Sequence, residues 1–265
     1  IPDYIRRKEL MFAKTLPVNK SLNKSSWIHR GPYNVGGRTR ALSLDILDED
    51  VILAGGTTGG MFRSIDGGSS WSMTTDPSQL HNVTCIAQDT RDGHENVWYF
   101  GSGENRGGWL GDVSFLGNGI FKSIDGGLSW DSLHITTSNT PQSWDKDFDF
   151  VWNIVTDPSN DSLDVVYAAT HGDIYKSSDG GNTWSKKLGG NNTSYYQYTS
   201  VEVTSNGVVY AAISSDCVDN GIWRSEDGET WNKIINSSFP SIYDRIAIGI
   251  NPSNENEVYF LAANT

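Results

Sequence analysis

Short apolar runs, three to six residues long and rich in Val, Ile, Tyr and Phe, recur along this chain between clusters of Gly, Asp, Ser and Asn. Runs of that length bounded by turn formers read as β-strands. They come in threes. Arg40 to Leu44, Val51 to Ala54 and Met61-Phe62-Arg63 form one set, and Val83 to Ala87, Val97 to Phe100 and Ile120-Phe121-Lys122 a second. Val151 to Val155, Val165 to Ala169 and Ile174-Tyr175-Lys176 form the third, and Ser200 to Val203, Val208 to Ala212 and Ile222-Trp223-Arg224 the fourth. The last run of each set ends in an aromatic residue and a base.

After each set comes the strongest internal similarity in the chain. Ser64 to Trp71 (SIDGGSSW) returns as Ser123 to Trp130 (SIDGGLSW), as Ser177 to Trp184 (SSDGGNTW) and, shortened, as Ser225 to Trp231 (SEDGETW). The aspartates Asp66, Asp125, Asp179 and Asp227 are separated by 59, 54 and 48 residues, the period of a four-stranded propeller blade with variable loops. With a fourth strand led by Trp71, Trp130, Trp184 and Trp231, each unit has strands A to D, and the box is the C–D turn. A short Asp accepts hydrogen bonds from nearby backbone N–H groups, the glycines permit positive φ, and the tryptophan buries a large face. These eight residues are read as structural rather than catalytic.

The expected fold is therefore all-β: a β-propeller with four complete blades and part of a fifth, incomplete within this chain. The blades fall at about 38–73, 82–133, 150–187 and 199–234. Arg245 to Ile250 and Val258 to Ala262 supply strands A and B of a partial blade at 245–263. Trp27 opens a segment, 27–31, suited to act as a closing outer strand, and 1–26 is a separate extension in which Tyr4 to Lys14 suits a short basic amphipathic helix.

The box pattern resembles the Asp-box, or BNR, repeat family, whose members include sialidases, xyloglucanases and sortilin-type receptor domains. The resemblance covers about residues 27–263. The segment from Trp27 to Arg38, running into Ala54-Gly55-Gly56 and the first box, is most similar to large Asp-box proteins exported by the bacterial type IX secretion system. That resemblance implies a secreted or cell-surface protein, with adhesion or gliding motility among its settings and the outer-membrane secretion machinery among its partners. Ser132 and Ser162, each in an Asp-Ser-Leu triplet, resemble the O-glycosylation signal of the same bacterial group.

Composition narrows the function. A formal charge of −12 over 265 residues, without a Lys/Arg-rich run, excludes a nucleic-acid backbone as the natural partner. No run of about 20 apolar residues is present to insert in a bilayer, and the start at Ile1 lacks a signal-peptide core, so the chain reads as soluble and already processed. Cys85 and Cys217 fall at unrelated places in the repeat and read as two buried thiols. No cofactor or metal is expected. The histidines lack ligand spacing, and Asp145-x-Asp147-x-Asp149 is followed by Phe150 where a calcium loop needs glycine.

The family's activities transfer poorly. The sialidase pattern needs an Arg-Ile-Pro segment that is absent, and where the xyloglucanase resemblance implies a catalytic Asp this chain has Thr57-Thr58-Gly59-Gly60. A threonine cannot shuttle a proton near neutral pH. What blade-building leaves unexplained are two long connections on one face, Gly101 to Gly119 and Asp131 to Phe150. They carry Glu104, Arg106, Trp109, Asp112, Trp144 and Asp147, and Arg38 enters the same face. Tryptophan with carboxylates and arginine suits stacking on sugars or gripping a protein segment. The leading expectation is a non-catalytic binding, adhesion or scaffold module for a glycan or protein ligand at the cell surface. The alternatives are a xyloglucanase-like glycoside hydrolase whose carboxylates lie outside this chain, and an assembly or transport factor binding a partner protein.

Overall fold

The computed structural model describes residues 37–263 except 77, 80–81, 106–114, 141 and 191–196, together with Phe12 and Thr15. Two compact units emerge, 1–36 and 37–265. In the first, Phe12 and Thr15 are helical, and the Thr15 hydroxyl donates to the Phe12 carbonyl at 2.7 Å. The expected strand at 27–31 lies outside the described residues.

The second unit is a series of antiparallel sheets in which neighbours in sequence are neighbours in space. Sheet one is β1 (Thr39–Leu44), β2 (Ile52–Gly56), β3 (Gly60–Ser64) and β4 (Ser72–Met73). Sheet two is β5 (Val83–Gln88), β6 (Trp98–Ser102), β7 (Ile120–Ser123) and β8 (Asp131–Ser132). Sheet three is β9 (Val151–Thr156), β10 (Val166–Thr170), β11 (Ile174–Ser177) and β12 (Ser185–Leu188). Sheet four is β13 (Thr199–Val203), β14 (Val209–Ile213), β15 (Gly221–Ser225) and β16 (Trp231–Lys233), and β17 (Ile246–Ile250) with β18 (Val258–Ala262) forms a two-stranded fifth. The first strands, β1, β5, β9, β13 and β17, each lie against the next in the series, so they stand innermost around a common axis. This is the blade arrangement of an incomplete β-propeller. Among the described residues no helix is long and apolar enough to cross a membrane.

Burial follows from this stacking. Sheets inside the series are covered on both faces, so β6, β10 and β14 are buried at every position. At the two ends only one face is covered and burial alternates with the pleat. Leu42 and Leu44 of β1 and Tyr259 and Leu261 of β18 are exposed, while Ala41 and Ile246 are buried against neighbouring sheets. Four apolar clusters fill the interfaces. Leu53, Met61, Val83, Trp98 and Trp130 lie between sheets one and two, and Tyr99, Ile120, Val151 and Ile154 between two and three. Tyr167, Ile174, Val201 and Val209 follow, then Ala212, Ile222, Tyr243 and Ile246.

The repeated turn has the same wiring in its first three copies and a shortened form of it in the fourth. Ser64 Oγ donates to Asp66 Oδ1 at 2.8 Å and accepts from Gly68 N at 2.9 Å, and Asp66 also accepts from the amide and hydroxyl of Ser70. Ser123, Asp125 and Ser129 repeat this, as do Ser177, Asp179 and Thr183. Asp227 accepts from the amides of Thr230 and Glu229, which hold its carboxyl down at about 2. The tryptophans differ in surroundings: Trp130 is 5% exposed and edge-on to Phe100 at 4.8 Å, whereas Trp71, on the outer sheet, is 42% exposed. Cys85 and Cys217 are both buried and unbonded to each other.

Candidate functional site

The inner strands bring charge to the axis. Arg40 lies on β1, Trp152 on β9, Glu202 on β13, and Arg245 immediately precedes β17. They line two adjoining cavities. The larger, about 450 Å³, runs along the inner strands past Thr84, Asn153, Glu202 and Arg245. The outer, about 210 Å³, is walled by Arg40, Glu104, Asn105, Tyr198, Asp244 and Arg245, with Trp152 beside them. Trp152 is fixed by its indole N–H donating to the Gln197 carbonyl at 3.0 Å.

Glu104 is the pivot of the outer cavity. It sits just past β6, held by a bridge to Phe115 with amide–carbonyl bonds of 2.8 and 2.7 Å in the two directions. Its side chain is 1% exposed; Oε1 pairs with Arg38 at 3.0 Å and Arg40 at 3.5 Å, while buried Oε2 has no hydrogen-bond partner. Burial and then the Arg40 charge push the Arg245 guanidinium below its ordinary value, and it forms no ion pair among the described residues. Glu202, without a charged partner, is pushed up to about 7 by burial. The site thus offers an exposed cationic donor beside a buried acceptor without a partner, and the buried acceptor is costly unless a ligand or water completes it.

The residues expected from the sequence fall in separate places. Arg38 and Glu104 meet in the ion pair above. Arg106, Trp109 and Asp112 lie outside the described residues. Trp144 is 45% exposed and edge-on to His171 of the β10–β11 turn at 4.5 Å and to Phe150 of its own loop at 5.5 Å, so the ring is partly packed and partly open. Asp147 accepts from the Tyr175 hydroxyl and lies 3.4 Å from Lys186, which also pairs with buried Asp173 at 2.9 Å. The two long connections touch: Gly117 N donates to the Asp149 carbonyl at 2.8 Å, and a side chain at Gly103 would collide with that same carbonyl. Ser162 is exposed in a turn, and Ser132 is half-buried in β8.

Arg40, Tyr198, Glu202, Asp244 and Arg245 were not singled out from the sequence. The available signal was a base at the start of the first and last inner strands. Of the acidic triplet, Asp149 caps its own loop by accepting from the amides of Asp145 and Lys146, and Asp145 accepts from the Thr140 hydroxyl. Asp89, His94 and Asp164 come within metal-binding reach of one another. The guanidinium of Arg91 stands among them, 2.5 Å from Asp89, 2.6 Å from Asp164 and 3.3 Å from His94, and supplies the cation.

Thr57 is buried; its hydroxyl accepts from Arg38 Nε at 3.1 Å and donates to the Arg38 carbonyl at 3.2 Å. No family model matches the chain. A xyloglucanase from Paenibacillus sp is 27% identical over 263 residues, an alignment that covers 84% of this chain and 24% of that enzyme. The crystal structure of an ancestral GH74 enzyme superposes with a TM-score of 0.57 at 20% identity, covering 82% of this chain and 28% of that one. The fold is shared. An auxiliary nutrient binding protein from Bacteroides thetaiotaomicron superposes with a TM-score of 0.52 at 12% identity, covering 85% of this chain and 52% of its own. At these identities the structural likeness speaks for architecture alone, and the chain spans only about a quarter of the two enzymes.

Proposed function

We propose that this chain is part of a non-catalytic, extracellular Asp-box propeller that binds a glycan at the axial mouth. The observation carrying the reading is that Glu104, whose buried Oε2 has no hydrogen-bond partner, lines the same 210 Å³ cavity as Arg245, which forms no ion pair among the described residues. Sugar hydroxyls both donate and accept, so one pyranose unit can satisfy the carboxylate and the guanidinium together. A cavity smaller than the roughly 300–1,000 Å³ of drug-sized ligands suits such a unit. Arg38 and Arg40 hold Glu104 by ion pairs, and Trp144, Asp147 and the segment bearing Arg106, Trp109 and Asp112 extend the recognition surface along the chosen face. Export by a type IX system, glycosylation at Ser132 and Ser162, and an adhesive role belong to the same proposal and rest on the sequence resemblance.

The xyloglucanase relative favours a second reading, hydrolysis with the acid and base on other blades. Titration of the protein with xyloglucan, cellulose-type and host-type oligosaccharides separates the two. Binding that weakens about tenfold or more in Arg245→Met and Glu104→Gln, as loss of a charged hydrogen bond requires, supports the axial site. Release of reducing ends overturns the non-catalytic reading. Binding unchanged in both variants, or selective binding of a peptide, overturns the axial glycan site.

A further inference from the structure

The base that ends each third strand does a specific job. Arg63 Nε donates to the Gly126 carbonyl of the next blade's box at 2.9 Å. Lys122 Nζ reaches the Gly180 carbonyl at 3.1 Å, and Lys176 Nζ the Asp227 carbonyl at 2.9 Å. In blades two and three the base is paired across the strands with a tyrosine, Tyr99 with Lys122 and Tyr167 with Lys176. The Tyr99 hydroxyl donates to the same Gly180 carbonyl at 3.3 Å, and the Tyr167 hydroxyl lies where a side chain at Gly228 would be.

The box glycine is also held from its own blade. Gly126 N donates to the Asn96 carbonyl at 2.9 Å, Gly180 N to Asp164 at 2.8 Å and Gly67 N to Asp50 at 3.0 Å. Asn96, Asp164 and Asp50 each stand two residues before the first residue of the second strand, Trp98, Val166 and Ile52. At Gly180, then, the turn is gripped at its carbonyl by the Tyr99/Lys122 pair of the preceding blade and at its amide by its own A–B turn.

Blade four carries the same pair, Tyr210 across from Arg224, and the fifth sheet carries Asn256 two residues before Val258. No box turn lies between them among the described residues. Instead there is a cavity of about 320 Å³ lined by Tyr210, Arg224, Ser253, Glu255 and Asn256. Arg224 meanwhile pairs with exposed Glu226 at 2.9 Å. The outer edge of β18 has no strand partner among the described residues.

We infer that this cavity is a docking socket for a Ser-x-Asp-Gly turn, carried on a C–D hairpin that pairs with β18 and completes the fifth sheet. Arg224 and Tyr210 take its glycine carbonyl and Asn256 its amide, as at Gly180, while the strands add to an open edge.

The test uses the chain as it is and a cyclised peptide of its own Ile174–Leu188 hairpin, cyclised because isolated hairpins are marginal in water. Fluorescence titration is expected to show binding that falls about tenfold or more in Arg224→Met and survives in Arg224→Lys, since lysine does this work in blades two and three. Amide exchange is expected to slow along β18 on binding, and a peptide carrying Asp179→Ala is expected to bind more weakly. Absence of binding, equal binding by Arg224→Met with an unchanged melting temperature, or protection that appears at β1 to β4 instead of β18 would overturn the inference. Self-association of the chain that the peptide leaves untouched would assign the edge to a second copy and overturn it as well.

Discussion

Replacing Glu202 by Gln should stabilise the protein, by an amount that grows from about pH 4.5 and is complete above about pH 7. The carboxyl is half-buried on β13 with no compensating charge, and burial lifts it from an ordinary 4.5 to about 7. The unfolded chain gives up this proton near 4.5, the native chain near 7. Below 4.5 both states hold it and it contributes nothing. Between 4.5 and 7 the unfolded state sheds it while the native state does not, so stability falls as pH rises, and above 7 the loss is constant. A difference of about 2.5 pH units at ~1.36 kcal/mol each sets a ceiling of about 3 kcal/mol, and the open funnel beside it reduces this to about 1–2 kcal/mol. Glutamine mimics the protonated acid. Denaturant unfolding of wild type and Glu202→Gln should agree at about pH 3.5 and differ by that amount at about pH 8, or by roughly 2–8 °C in Tm for a chain of this size. An equal difference at both pH values, or a variant less stable at pH 8, would show that desolvation of Glu202 is not the cause.

Trp130→Ala should cost roughly 3–5 kcal/mol, because Trp130 is closed between sheets one and two, while Trp71→Ala, on an exposed face, should cost far less; equal losses in thermal melts would contradict the packing. Arg91→Met should destabilise by about 3–5 kcal/mol by leaving buried Asp89 unpaired, and Asp89→Asn in the same chain should recover part of it. An additive double variant would remove Arg91 as the clamp between the A–B turns of blades two and three.

Much of the architecture was legible because it rests on local chemistry. The box needs a short acceptor, glycines at positive φ and a large aromatic in order, and Gly67, Gly126, Gly180 and Gly228 do adopt positive φ. The hydroxyl four residues after the aspartate, Ser70, Ser129 or Thr183, was equally present in the sequence as a second contact to the same carboxylate. Burial was less legible. Val-Tyr-Ala-Ala-Thr of β10 and Val-Tyr-Phe-Leu-Ala of β18 look alike as strings, yet the first is buried throughout and the second alternates. The difference comes from what covers each sheet, which no strand encodes by itself.

The axial site was hidden for the same reason. Arg40 and Arg245 are 205 positions apart and each looks like ordinary strand-end charge; they converge only because the inner strands share an axis. Glu104 was visible as a loop carboxylate, but its burial depends on Arg38 and Arg40 arriving from another blade. The base ending each third strand lies between these cases. Its recurrence was plain from the sequence, whereas its partner, a backbone carbonyl, has no residue-type signature. A side chain repeated at one position while its counterpart is main chain will look like surface decoration until the blades are stacked. That is why Arg224, the copy whose counterpart is not among the described residues, carries information about a neighbour that the first three copies have already specified.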